Sequence, residues 1–115
     1  MEQRAQDHLG PAPRKDDTGK APAYRGLMAY FPRALKEVAG VSKAGADKYN
    51  SYGTWVGIDD ARNRYRDALF RHSLEAEIDG LIDPETGCLH EAMIAWNALA
   101  ALELLLRRKV IDKPA

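Results

Sequence analysis

From Pro32 onward, apolar residues return every three or four positions, the spacing that gathers them on one side of a helix. Leu35, Val38, Ala39, Ser42, Ala46 and Tyr49 follow this period and Pro32 suits a first helical turn, so a first helix is predicted from about Pro32 to about Asn50. Gly40 and Gly45 lower its intrinsic stability, so either backbones approach closely there or the helix is broken in the middle. The stretch "SYGTWVGIDD" reads as a loop whose Tyr52 and Trp55 must pack on something and whose aspartates can cap the next element.

A second helix is predicted from about Asp60 to about Gly80. It carries Phe70, Leu74 and Ile78 on one side and Tyr65, Ala68, Leu69 and Ala76 nearly opposite, with His72 in the second stripe. A helix apolar on both sides is sandwiched between layers of one chain or between the chain and a partner. The third helix, about Cys88 to Lys109, is apolar almost all round and is expected to be central, with "RRK" set against the negative end of its dipole. No strand period appears. The fold class is therefore all-α: a small bundle of three main helices, completed by oligomerisation because so short a chain buries a modest core.

The first 23 residues are polar, with three prolines and two glycines, and read as a flexible, disordered arm or a strap. "YRGLMAYFP" after them reads as an irregular buried lead-in, and residues 24–115 as a single helical domain. The 115 residues suffice for one domain only. Because 17 basic and 17 acidic residues cancel, no overall field draws in a nucleic acid or an anionic membrane, and neither is expected as a partner. The lone Cys88 excludes an intrachain disulfide, and no run reaches the ~18 apolar residues of a membrane span. A cytoplasmic protein is the simplest expectation.

Candidate chemistry collects between residues 71 and 97. His72 lies on an apolar face, with Glu75 and Asp79 one and two turns on, and Asp83 and Glu85 follow in the connecting turn. Carboxylates so placed can hold Mg²⁺, whose oxygen ligands position and neutralise phosphates; equally, Asp83-Pro84 is an ordinary turn signal and Glu75 can be solvated. His90 and Asn97, seven residues apart on an apolar face, need hydrogen-bond partners from protein, water or ligand. In "GADKYNSYGTW" a base can stack on Tyr49 or Trp55 while Lys48 meets a phosphate, or these aromatics can simply cap a core. Arg62, Arg64, Arg66 and Arg71 make a basic sector, either a solvated face or a phosphate collar. There is no Walker A, G-x-G-x-x-G or G-x-S-x-G motif, and Cys88 beside His90 lacks the third group a thiol nucleophile needs.

In order, "GADKYNSYGTW", "RYRDALFRHSLEAE" and "DPETGCLHEAMIAWNALAALELL" resemble the phage-associated dATP/dGTP diphosphohydrolase, N-terminal domain family, over about residues 24 to 107. Matching positions are Lys48, Tyr49, Trp55, Arg71, His72, Asp83, Glu85, Gly87, His90 and Asn97; Thr54 stands where that family usually has Asn. The resemblance implies hydrolysis of a purine deoxynucleoside triphosphate to monophosphate and pyrophosphate with a divalent metal. In that reading Glu75, Asp79, Asp83 and Glu85 hold Mg²⁺, His72 or His90 orients water or a phosphate oxygen, and Lys48, Tyr49, Trp55, Arg71 and Asn97 bind substrate. A more distant likeness is to the all-α pyrophosphohydrolases of MazG type, which are dimers or tetramers, but their Glu-Glu-x-x-Glu and Glu-x-x-Asp helices are not present here. That departure keeps two further readings open: a non-catalytic phage-type protein that sequesters a nucleotide or cyclic-nucleotide defence signal, and a structural helical adaptor whose mark would be the absence of a pocket.

Overall fold

The computed structural model describes residues 12–108, so part of the expected arm and the end of "RRK" at Lys109 lie outside the described residues. The chain divides between Tyr30 and Phe31 into two units. In the first, residues 12–22 are irregular with one turn, and Tyr24–Met28 forms a single turn of π-helix. The expected buried lead-in is not buried, since Tyr24, Leu27 and Met28 are exposed.

The second unit holds three helices: α1, Pro32–Tyr49; α2, Ala61–Ile78; and α3, His90–Leu106. A short 3₁₀ turn, Thr54–Val56, lies between α1 and α2. All-α architecture with three main helices is what the periodicity predicts, and among the described residues no strand forms beyond an isolated bridge between Ile82 and Leu89. Pro32 opens α1, and Asn50 closes it in the left-handed conformation at φ 56°. α1 runs unbroken through Gly40 and Gly45, and a Cβ at either would meet nothing within 4 Å, so neither expected reason for these glycines holds. The expected aspartate side-chain cap is also not made: the Asp60 carboxylate accepts from the Asn63 amide at 3.1 Å and from no backbone N–H of α2.

α3 is central, packed against both α1 and α2. Alanines dominate the seams: the buried apolar residues are Val41, Ala46, Ala61, Ala92, Ala100 and Ala101. Small side chains let helix backbones approach, but each removes little apolar area from water. Larger rings compensate at one end. Trp55, Tyr65 and Trp96 meet with centroids 5.4–6.2 Å apart, two of the three contacts edge-on. Tyr65 donates to the Trp55 carbonyl at 2.6 Å, and Trp96 Nε1 to Ser42 Oγ at 2.7 Å, which ties α3 to α1. Trp55 thus packs as expected, whereas Tyr52 stays exposed.

The two-sided α2 is only half covered. Tyr65, Ala68 and His72 turn inward, but Phe70, Leu74 and Ile78 are 64%, 64% and 76% exposed. Leu99, Leu102 and Leu106 of α3 are also uncovered, so α3 is not enclosed all round. No helix among the described residues is long and apolar enough to cross a membrane.

Candidate functional site

Four polar residues are buried in this small core: His72, Asp83, His90 and Asn97. Each lies in the stretch that joins α2 to α3 or on the facing sides of those helices. Burial of polar groups is costly unless they are partnered, so their partners define the site.

His72, inward on α2, meets His90 from the first turn of α3, with the two Nδ1 atoms 2.9 Å apart. At that distance one Nδ1 donates and the other accepts. Glu75, one turn beyond His72, brings Oε2 to 3.6 Å from His72 Nδ1 and 3.8 Å from His90 Nδ1. Burial pushes the His72 imidazole below its ordinary value, against the upward pull of Glu75, which favours the neutral ring at neutral pH. His90 is 1% exposed, and its Nε2 is buried without a hydrogen-bond partner.

Asp83 organises the turn between α2 and α3. Its Oδ2 accepts from the Thr86 hydroxyl at 2.7 Å and the Thr86 N–H at 3.2 Å. Backbone bonds from Gly87 N–H to the Asp83 carbonyl, from Asp83 N–H to the Cys88 carbonyl and from His90 N–H to the Leu81 carbonyl close it. Gly87 sits at φ 75°, a left-handed position where a side chain is strained, so glycine is needed to make the turn. Glu85, exposed on the same turn, pairs with Lys48 of α1 at 3.5 Å. Asn97 Nδ2 donates within α3 to the Met93 carbonyl at 2.8 Å, which satisfies one side of its amide.

These elements line a half-open cavity of about 460 Å³, within the roughly 300–1,000 Å³ of small-ligand sites. Of the residues singled out from the sequence, Lys48, Tyr49, Trp55, Arg71, His72, Glu75, Asp83, Glu85 and Asn97 line it. His90 lies behind the wall and reaches the cavity only through His72 and Glu75. Asp79 is off the wall: it is the exposed residue that ends α2. Arg64 joins Lys48 and Arg71 as a third cation on the wall, so part of the basic sector is inward. Trp96 and Thr86 are among the lining residues that had no assigned role. Thr86 was legible as the residue after Asp-Pro-Glu in a turn; Trp96 had only its place beside Asn97.

Among the described residues, no three of Glu75, Asp79, Asp83 and Glu85 bring carboxylate oxygens within 4.8 Å of one another, so the four do not form one cation shell. Mg²⁺ does not require one, since it usually binds through one or two carboxylates together with substrate phosphates. Glu75, Asp83 and Glu85 on the cavity wall fit that partial role.

A family described as dATP/dGTP diphosphohydrolase, N-terminal, matches residues 11–114. A protein of Salmonella phage PMBT28 named dATP/dGTP diphosphohydrolase is 38% identical over 98 residues, which covers 85% of this chain. The chain spans 31% of that relative's length. No solved structure matches.

Proposed function

The chain belongs to the dATP/dGTP diphosphohydrolase, N-terminal, family, and on that premise we propose that its cavity takes a purine deoxynucleoside triphosphate and hydrolyses it to monophosphate and pyrophosphate. The observation that carries the reading is the composition of the wall: three cations, a group of aromatic rings and three carboxylates around one space. Lys48, Arg64 and Arg71 meet the triphosphate, and Tyr49 or Trp55 packs against the base. Asn97 bonds substrate through the carbonyl oxygen of its amide. His72, neutral through burial, orients a water or a phosphate oxygen, and His90 fixes the His72 ring from behind. Mg²⁺, if carried in on the phosphates, would be held by Asp83, Glu85 or Glu75 and would neutralise developing charge there. The reading places the activity in the cytoplasm. The cavity is the feature that the adaptor reading lacks.

Incubation of the full chain with dATP or dGTP and a divalent ion is expected to yield monophosphate and pyrophosphate. Arg71→Ala should lower kcat/KM by about tenfold or more, because a charged phosphate partner is lost. Tight nucleotide retention without product would reject the enzyme reading in favour of sequestration. A sample that neither turns over nucleotide nor melts higher in its presence would reject both.

The proposal includes self-association. Phe70, Leu74 and Ile78 form an uncovered apolar row on a helix whose opposite side is already packed. A second copy covering that row would supply the apolar burial that an alanine-rich core lacks. Light scattering is expected to give a dimer or larger species, and Phe70→Asp with Leu74→Asp to reduce it to a monomer of unchanged helicity. A monomeric parent, or a double variant of unchanged mass, would remove this part of the reading.

A further inference from the structure

Three donor atoms converge at the inner wall of the cavity, and only one of their three separations, the 2.9 Å between the imidazoles, has the length of a hydrogen bond. His72 and His90 direct Nδ1 atoms to within 2.9 Å of each other, and Glu75 Oε2 stands 3.6 Å from one and 3.8 Å from the other. Hydrogen bonds of this kind lie near 2.7–3.2 Å, so neither contact of the carboxylate is one. Donors that share an ion at about 2.0–2.1 Å in tetrahedral geometry stand roughly 3.3–3.4 Å apart, between the 2.9 Å of the imidazole pair and the 3.6 and 3.8 Å of the carboxylate contacts. The point equidistant from the three atoms lies about 2.0 Å from each, within the range for zinc on imidazole nitrogen and carboxylate oxygen.

We propose that His72, Glu75 and His90 form a binding site for a first-row transition ion of the Zn²⁺ class, open toward the cavity. Among the described residues this is the one set of His, Cys, Asp and Glu donors that converges. Two imidazole nitrogens with one carboxylate suit Zn²⁺, Co²⁺ or Fe²⁺, and are poorly matched to Mg²⁺, which prefers an all-oxygen shell. Three protein ligands leave at least one coordination position for water or a ligand oxygen. That position faces the cavity, because Glu75 and His72 line it while His90 closes the site from behind.

A second observation supports an ion. The His90 ring is the most buried large side chain described, yet its Nε2 has no partner. A buried polar pair left partly unsatisfied is expensive as mere helix glue, and an apolar pair of similar size would serve that role better. Ion binding at the facing Nδ1 atoms supplies free energy that offsets this cost, while Nε2 itself stays unpartnered. The two helices also preposition the ligands: His72 and Glu75 are separated by one turn of α2, and His90 is held by its N–H bond to the Leu81 carbonyl. The inference does not depend on the cavity taking a nucleotide.

The test uses the full chain, stripped with a chelator and titrated with Zn²⁺ without nucleotide. One Zn²⁺ per chain is expected to survive desalting, to raise the melting temperature and to resist a large excess of Mg²⁺. Co²⁺ in its place should give visible d–d absorption with the intensity of a four- or five-coordinate site. Glu75→Gln preserves volume at a half-exposed position and should weaken Zn²⁺ binding by about tenfold or more, as should His72→Ala. Failure of the parent to retain Zn²⁺, or affinity and Co²⁺ spectrum unchanged in both variants, would overturn the proposal; the latter result would place the ion elsewhere, as on Cys88. Circular dichroism of each variant separates lost ligation from lost fold.

Discussion

Trp96→Ala is expected to lower stability by about 3–5 kcal/mol, enough to leave a three-helix unit of this size substantially unfolded. The ring touches partners from three directions. Its centroid lies 5.9 Å from Trp55 and 5.4 Å from Tyr65, both edge-on, and its Nε1 donates to Ser42 at 2.7 Å. It therefore connects α3 to the 3₁₀ turn, to α2 and to α1 at once. Beyond Trp55 and Tyr65 the core is mostly alanine, so little bulk stands ready to relax into the space left behind. Trp96→Phe keeps most of the ring but leaves Ser42 unpaired, and should cost about 1–2 kcal/mol. Urea titrations should rank the three proteins in that order. If the alanine variant unfolds no earlier than the phenylalanine variant, packing of the indole does not hold the unit together.

This cluster illustrates which parts of the fold periodicity reveals. The helices were legible because a three- to four-residue period dictates which side chains share a face, and Pro32 marked a boundary that the structure keeps. What faces that side was not legible. Phe70, Leu74 and Ile78 form as regular a stripe as the buried one on α2, yet they stand in solvent within one chain. Gly40 and Gly45 suggested a close backbone approach or a break, but neighbouring residues in α1 carry the helix through, and Gly45 leaves open space in the cavity wall.

The site divides along similar lines. Glu75 follows His72 by one turn, so their pairing was readable from spacing, and both line the cavity. Asp79 continues that arithmetic but not the geometry: α2 ends at Ile78, and Asp79, its C-cap, is exposed and off the cavity wall. Asp83 turns inward but spends one oxygen on its own turn, and Glu85, exposed on the cavity wall, pairs with Lys48. Carboxylate counting along a chain cannot register such local hydrogen bonds. The convergence of His72 and His90 crosses from one helix to another, a distance that no period in the sequence encodes.

The inward turn makes Asp83 the second large expectation: Asp83→Ala should cost about 2–3 kcal/mol at neutral pH, since it removes the charge-assisted bonds that the buried carboxylate accepts from the Thr86 hydroxyl and N–H. Burial pushes the Asp83 carboxyl up, but the Thr86 hydroxyl and N–H, with the Glu85 N–H and the nearby His72, outweigh it and hold the group below its ordinary value of 3.8. A carboxylate held down in the folded state stabilises that state fully above its unfolded value, and the contribution disappears as pH falls through the folded value. The gap between parent and Asp83→Ala should therefore be widest from neutral pH down to about pH 5 and narrow in the acid range below 3.8. Asp83→Asn, which retains an acceptor but no charge, should fall between the two at neutral pH and show a flatter acid limb than the parent. A gap of constant size from neutral to strongly acid conditions would mean that shape, and not the carboxylate charge, anchors the turn that carries Thr86 and Glu85 to the cavity wall.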